Sequence, residues 1–255
     1  MEKILEVCVD SYASAMAAIQ GGADRLELCS ALSVGGLTPS AALVHQIRLV
    51  SDIRVRCLMR PRAGDFLYTK EEISQMVSEM EALKAAGTSG FVIGCLTPEG
   101  ELDADALRPI YAAARAAAKA AGRPVVCTLH RAFDVCKDPF AALEAAKALN
   151  LGTILTSGQA ASAPAGASLL RRLVEAAGPD LEILVGAGVT PANLPALAAE
   201  TGAHAFHMSG KQVLDSRMIF RREGVPMGLP GFSEFEVWQT SEETIRAARR
   251  VLNEL

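Results

Sequence analysis

The sequence is poor in aromatic residues. Phe, Trp and Tyr together make up 5% of its 255 positions, with a single Trp. A core of stacked rings is therefore excluded, and the 50% of hydrophobic residues must fill the interior mainly with Ala, Val, Leu and Ile. No apolar run approaches the ~18 residues of a membrane-spanning helix, so no membrane partner is expected. The opening "MEKILEVCVDS" lacks the apolar core and small-residue cleavage site of a signal peptide, which points to a cytoplasmic protein. There is no Lys/Arg-rich tract, and the formal net charge is -4, so nucleic acid is not an expected partner. The six cysteines show no CxxC spacing and are expected to be reduced. No GxGxxG follows the first strand-like run. That argues against an open dinucleotide-binding sheet, and no organic cofactor is expected.

What is present is a repeated unit. A short β-rich run is followed by a helical run about eight times, from "KILEVCV" and "SYASAMAAIQGG" to "HAFHMSG" and "SEETIRAARRVLNEL". Eight strand–helix units predict an α/β fold, a (β/α)8 TIM barrel formed as one domain by residues 1–255. Thr38 and Thr190, each followed by Pro, and Asp138 before Pro139 read as helix N-caps. Gly87, Gly122, Gly178 and Gly202 read as C-terminal stops. The stretch 210–241 is a long connection before the last helix. It fits a lid over the barrel mouth or a contact in a homo-oligomer such as a dimer.

In such a barrel the chemistry gathers at the C-terminal ends of the strands. Those ends carry Glu6, Cys8, Arg25, Glu27, Cys29, Arg60, Arg62, His130, Arg131, Asp134, Ser157, Gly188, His207 and Ser209. Side chains alternate between the two faces of a strand, and an unpaired carboxylate packed under apolar helices would cost several kcal/mol. Glu6, Glu27, Arg60 and His130 are therefore expected to face the barrel interior. Glu6 paired with Arg25 or Arg60 could be a structural salt bridge. The full set exceeds packing needs and fits a site in which charged groups shift one another's pKa values. Cys8 and Cys29 occupy similar points of the first two strands, and two thiolates suit Cu(I). Buried cysteine as a small hydrophobe is the alternative. Cys136, in a loop beside Lys137, is expected to be exposed. Gly186, Gly188 and Ser209 at the last strands would offer donors to a phosphate or another oxyanion.

The stretches "LEVCVDS", "GADRLELCSALSVGGLTPS", "MRPRAGDFLYTKEE", "HRAFD", "LTSGQ" and "HMSG", in that order, resemble the CutC family, the copper homeostasis proteins. The resemblance covers nearly the whole chain. It implies a TIM barrel, a cytoplasmic protein, and a role in copper tolerance or trafficking with Cu(I) on Cys8 and Cys29. Leu129 and Gln159 depart from the family's usual residues, and neither is a candidate site residue. Beside the copper reading stands an enzyme of unassigned reaction acting on a small phosphorylated or carboxylated metabolite. There His130, Glu27 or Glu6 would be the acid/base. Arg25, Arg60, Arg62, Arg131, Asp134, Ser157, Gly188, His207 and Ser209 would hold the ligand. A partner-binding scaffold on an inactive barrel is the third possibility.

Overall fold

The computed structural model describes residues 2–255 apart from 122–124, 223, 226, 229, 230 and 232, with the backbone alone described at 117–121. The helix stop expected at Gly122 lies outside the described residues. Eight parallel strands close into a barrel in sequence order. They are β1 (Ile4–Val9), β2 (Arg25–Leu28), β3 (Arg54–Leu58), β4 (Gly90–Ile93), β5 (Val126–Leu129), β6 (Thr153–Thr156), β7 (Glu182–Val185) and β8 (Ala205–Met208). The helices are α1 (Tyr12–Gln20), α2 (Ala41–Arg48), α3 (Lys70–Ala85), α4 (Ala104–Ala121), α5 (Pro139–Ala148), α6 (Ala167–Ala177), α7 (Leu194–Thr201) and α8 (Glu242–Asn253).

One parity of each strand packs against the helices. Leu5, Val7, Leu26, Leu28, Val55, Phe91, Ile93, Ile154, Ile183 and Phe206 join Ile47, Met76, Leu107, Leu170 and Ile245 in one large apolar cluster. The other parity turns inward. Its apolar members form two small separate clusters, Leu155–Leu184–Ala205 and Cys29–Leu58–Val92. The polar residues Glu6, Arg25, Glu27, Arg56, Thr128, His130 and His207 are also buried. The interior is thus packed in layers with no open bore.

Asp138 caps α5, accepting from the N–H groups of Phe140 and Ala141. The other two expected caps are displaced. Ser40 caps α2, while Thr38 Oγ1 bonds the backbone N–H and C=O of Arg60 and fastens the loop after β2 to β3. The helix α7 begins only at Leu194. Thr190 and Asn193 exchange hydrogen bonds in the turn before it. The connection 210–241 contains an antiparallel ribbon, β9 (Lys211–Asp215) with β10 (Glu236–Thr240). Thr240 ties the ribbon down, with its N–H on Ser14 Oγ and its hydroxyl on Ser209 O.

Candidate metal and ligand site in the barrel mouth

The site rests on an ionic floor. Arg25 opens β2 and so lies low in the barrel, below the mouth where the sequence had suggested it. It donates from Nε to Glu6 at 2.5 Å and from Nη2 to Glu182 at 2.6 Å. Arg56 reaches Thr128 Oγ1 at 2.9 Å and Thr153 Oγ1 at 3.2 Å, and lies 3.6 Å from Glu6. Burial alone would raise the Glu6 pKa. The Arg25 ion pair, the His207 hydrogen bond and Arg56 outweigh it and hold the carboxyl well below its usual range. Held ionised by these cations, Glu6 serves the floor as a structural anion. Arg56 and Glu182 carry half of this floor.

Strand register then sets what stands above it. Glu6 lies beside His207 across β1 and β8, and Cys8 lies beside Glu27 across β1 and β2. His207 Nδ1 is 3.0 Å from Glu6, and its Nε2 is 3.4 Å from Glu27. Ligand atoms of Cys8, Glu27 and His207 all lie within 4.8 Å of one another. The thiol partly exposed to solvent is Cys8. Cys29 is not the counterpart of Cys8, because it stands one pleat higher, its N–H on Val9 O. Burial and the nearby Glu27 push the Cys29 thiol well above its ordinary pKa. Burial also raises Glu27 to about 7, a tendency the neighbouring His207 opposes. For His207 itself, burial would lower the pKa, but Cys8, Glu6 and Glu27 lift it well above the ordinary value.

Across the mouth stands His130. It caps a short 3-10 helix, Arg131–Val135, and its Nδ1 accepts from the Ala132 N–H at 3.1 Å. Burial first, then the Arg60 charge, lowers its pKa to about 3. The ring is therefore neutral with its proton on Nε2, which suits it to donating a hydrogen bond. Gly94 makes room for it: a Cβ there would lie 2.4 Å from His130 Cε1. Phe66 stacks at a tilt, centroid to centroid 4.8 Å. Arg60 lies over the same ring and donates to the carbonyls of Val34, Gly36 and Gly64. These walls and Cys8, Glu27, Cys29 and His207 enclose a cavity of about 160 Å³.

Other expected residues lie off this cavity. Arg62 turns outward to Glu72, Asp65 and Leu67 O. Asp134 is an organiser: it accepts from the hydroxyls of Thr156 and Ser157, from the N–H groups of Ser157 and Gln159, and from Arg131. Of this group only Arg131 reaches the rim of the cavity. Gly188 adopts a positive φ against Ser162, outside the cavity walls. Ser209 lines a second cavity of about 380 Å³ with Asp10, Ser14, Lys211, Trp238 and Thr240; the two cavities share Cys8. Cys136, expected to be exposed, is buried, with Gln159 Nε2 on its carbonyl.

Fold and site together define a (β/α)8 barrel with a thiol, an imidazole and a carboxylate converging in its mouth. The chain belongs to the CutC family, which matches residues 3–212. It is 43% identical over 253 residues to a CutC family protein of Chromobacterium violaceum, covering 99% of both chains. It is 39% identical over 249 residues to the human copper homeostasis protein cutC homolog, covering 97% of this chain and 88% of that protein. A crystal structure of the CutC protein of Streptococcus agalactiae superimposes with a TM-score of 0.74 at 27% identity. The match covers 81% of this chain and 98% of that one. A phosphoribosylanthranilate isomerase of Thermotoga maritima, with a TM-score of 0.56 at 12% identity, shares the fold alone.

Proposed function

We propose that this chain binds copper, as Cu(I), through Cys8 and His207, with Glu27 beside them. The observation that carries the reading is the convergence of these three ligand atoms within 4.8 Å, with Glu6 fixing the far nitrogen of the imidazole. Metal-bound histidines usually give their second ring nitrogen to a carboxylate, which orients the first. Metal–ligand bonds of about 2.0–2.3 Å require ligand atoms roughly 3–4 Å apart, so a small contraction completes the set. Thiolate and imidazole suit Cu(I), while the carboxylate is the ligand a divalent ion would recruit. Copper is preferred because relatives are named for copper homeostasis. A reducing cytoplasm is the proposed setting, a choice supported by six free cysteines. Binding displaces the proton held by His207, so affinity rises with pH.

The test is titration of reduced protein with Cu(I) against a competing chelator. Cys8→Ser and His207→Ala should each lose at least tenfold in affinity, and Cys29→Ser much less. Unchanged affinity in Cys8→Ser refutes the reading. A stronger loss in Cys29→Ser than in His207→Ala moves the ion to the thiol pair.

A further inference from the structure

We infer that the Arg60–His130 wall of the smaller cavity is a binding site for a small organic carboxylate. This goes beyond the copper reading and needs no metal. Arg60 is 8% exposed, yet every acceptor of its guanidinium is a neutral backbone carbonyl. No carboxylate pairs with it among the described residues. Its Nε has no acceptor. A guanidinium removed from water is ordinarily matched by an anion.

The second observation is His130 Nε2. It is buried without a partner, and the Ala132 N–H already occupies Nδ1. A donor left in this way costs about 1–3 kcal/mol unless something accepts from it. One cavity therefore presents a buried positive charge and a neutral N–H donor, both lacking their complement.

The charges of the barrel interior agree. Glu6 and Glu182 are engaged by Arg25 in the floor, with Arg56 beside Glu6, and Glu27 stands on the opposite wall beside His207. None of these carboxylates lies within ion-pair distance of Arg60. The cavity of about 160 Å³ equals about five water volumes. That is room for about five or six non-hydrogen atoms, the size of propionate. Leu58, Phe66 and Leu155 would flank the short carbon chain. With one cation and one neutral donor, the wall matches a monoanionic carboxylate better than a phosphate dianion.

The test uses EDTA-treated, metal-free protein titrated with propionate. Propionamide and inorganic phosphate are the comparators. Thermal shift and the imidazole N–H resonances in NMR are the readouts. Propionate should bind saturably, raise the Tm and move the His130 Nε2–H resonance, with propionamide and phosphate at least tenfold weaker. His130→Asn keeps an acceptor for the Ala132 N–H and should weaken propionate at least tenfold. Arg60→Lys should weaken it similarly; if that variant fails to fold, His130→Asn alone decides. The inference is overturned by absence of saturable propionate binding, by equal binding of propionamide or phosphate, or by wild-type affinity in His130→Asn.

Discussion

Acidification should separate wild type from His130→Asn in a direction opposite to ordinary expectation for a lost buried side chain. In the folded chain His130 has a pKa of about 3, and on unfolding it returns to 6.5. Between those values the unfolded state binds a proton that the native state refuses. Stability from this group is therefore fully present above pH 6.5 and falls as pH drops toward 3. From pH 7.5 to 4.5 the loss integrates to roughly 3 kcal/mol, a large share of the ~5–15 kcal/mol of a typical domain. Glu27 acts in the opposite sense. Its pKa rises from 4.5 unfolded to about 7 folded, so its contribution grows by roughly the same amount over that window. Over that window these two contributions nearly cancel in wild type. The Asn variant retains the helix cap but cannot titrate. It should be less stable than wild type by about 1–2 kcal/mol at pH 7.5, through lost packing on Phe66. On acidification to pH 4.5 it should gain on wild type by roughly 3 kcal/mol. Urea unfolding at the two pH values, in EDTA and followed by circular dichroism, measures the difference. A gap between variant and wild type that stays constant across the two pH values refutes the assignment of a neutral, proton-refusing His130.

Native, metal-free protein should consume one equivalent of iodoacetamide rapidly, at Cys8. Cys29, Cys57, Cys95, Cys127 and Cys136 are buried and their thiols are pushed upward in pKa. Mass mapping that finds Cys136 labelled first would contradict this. Arg25→Met should destabilise by about 3–5 kcal/mol in denaturant, because Glu6 and Glu182 lose their principal cation; a loss under 1 kcal/mol would show that the floor relaxes. Gly94→Ala should cost about 1–3 kcal/mol and displace the His130 ring, visible as a moved imidazole resonance; an unmoved resonance would place the ring elsewhere.

The eight-fold unit was legible because strand and helix periodicities are local properties, and so was the inward parity of Glu6, Glu27, Arg60 and His130. Register was not. Cys8 and Cys29 look equivalent when each is counted along its own strand, but the stagger between β1 and β2 sets Cys8 against Glu27. Arg60 reads from the sequence as an anion-binding group; that three turns of backbone, at Val34, Gly36 and Gly64, also hold its guanidinium is announced by no pattern in the sequence. Arg56 could have been found, since it shares the parity of Leu58 and Arg60. The ribbon β9–β10 was hidden because its strands are exposed and lack a clean alternation. His130 is hard to read from the sequence for a physical reason. Its role depends on which nitrogen a backbone N–H occupies, and that follows from the turn after β5, not from residue type.

The ionic floor also decides the traffic of the site. Arg25, Arg56, Glu6 and Glu182 close the barrel from below with interlocked charges, so the mouth is a dead end and not a passage. Whatever comes to rest on Cys8 must leave by the opening through which it arrived. Delivery to another molecule would then be a handover at the rim, in which the receiver's ligand enters before the donor's lets go. The pace of such an exchange would be set by the crowding at the mouth, where Leu32 and Cys8 divide one cavity from the other, and not by the depth of the barrel beneath it.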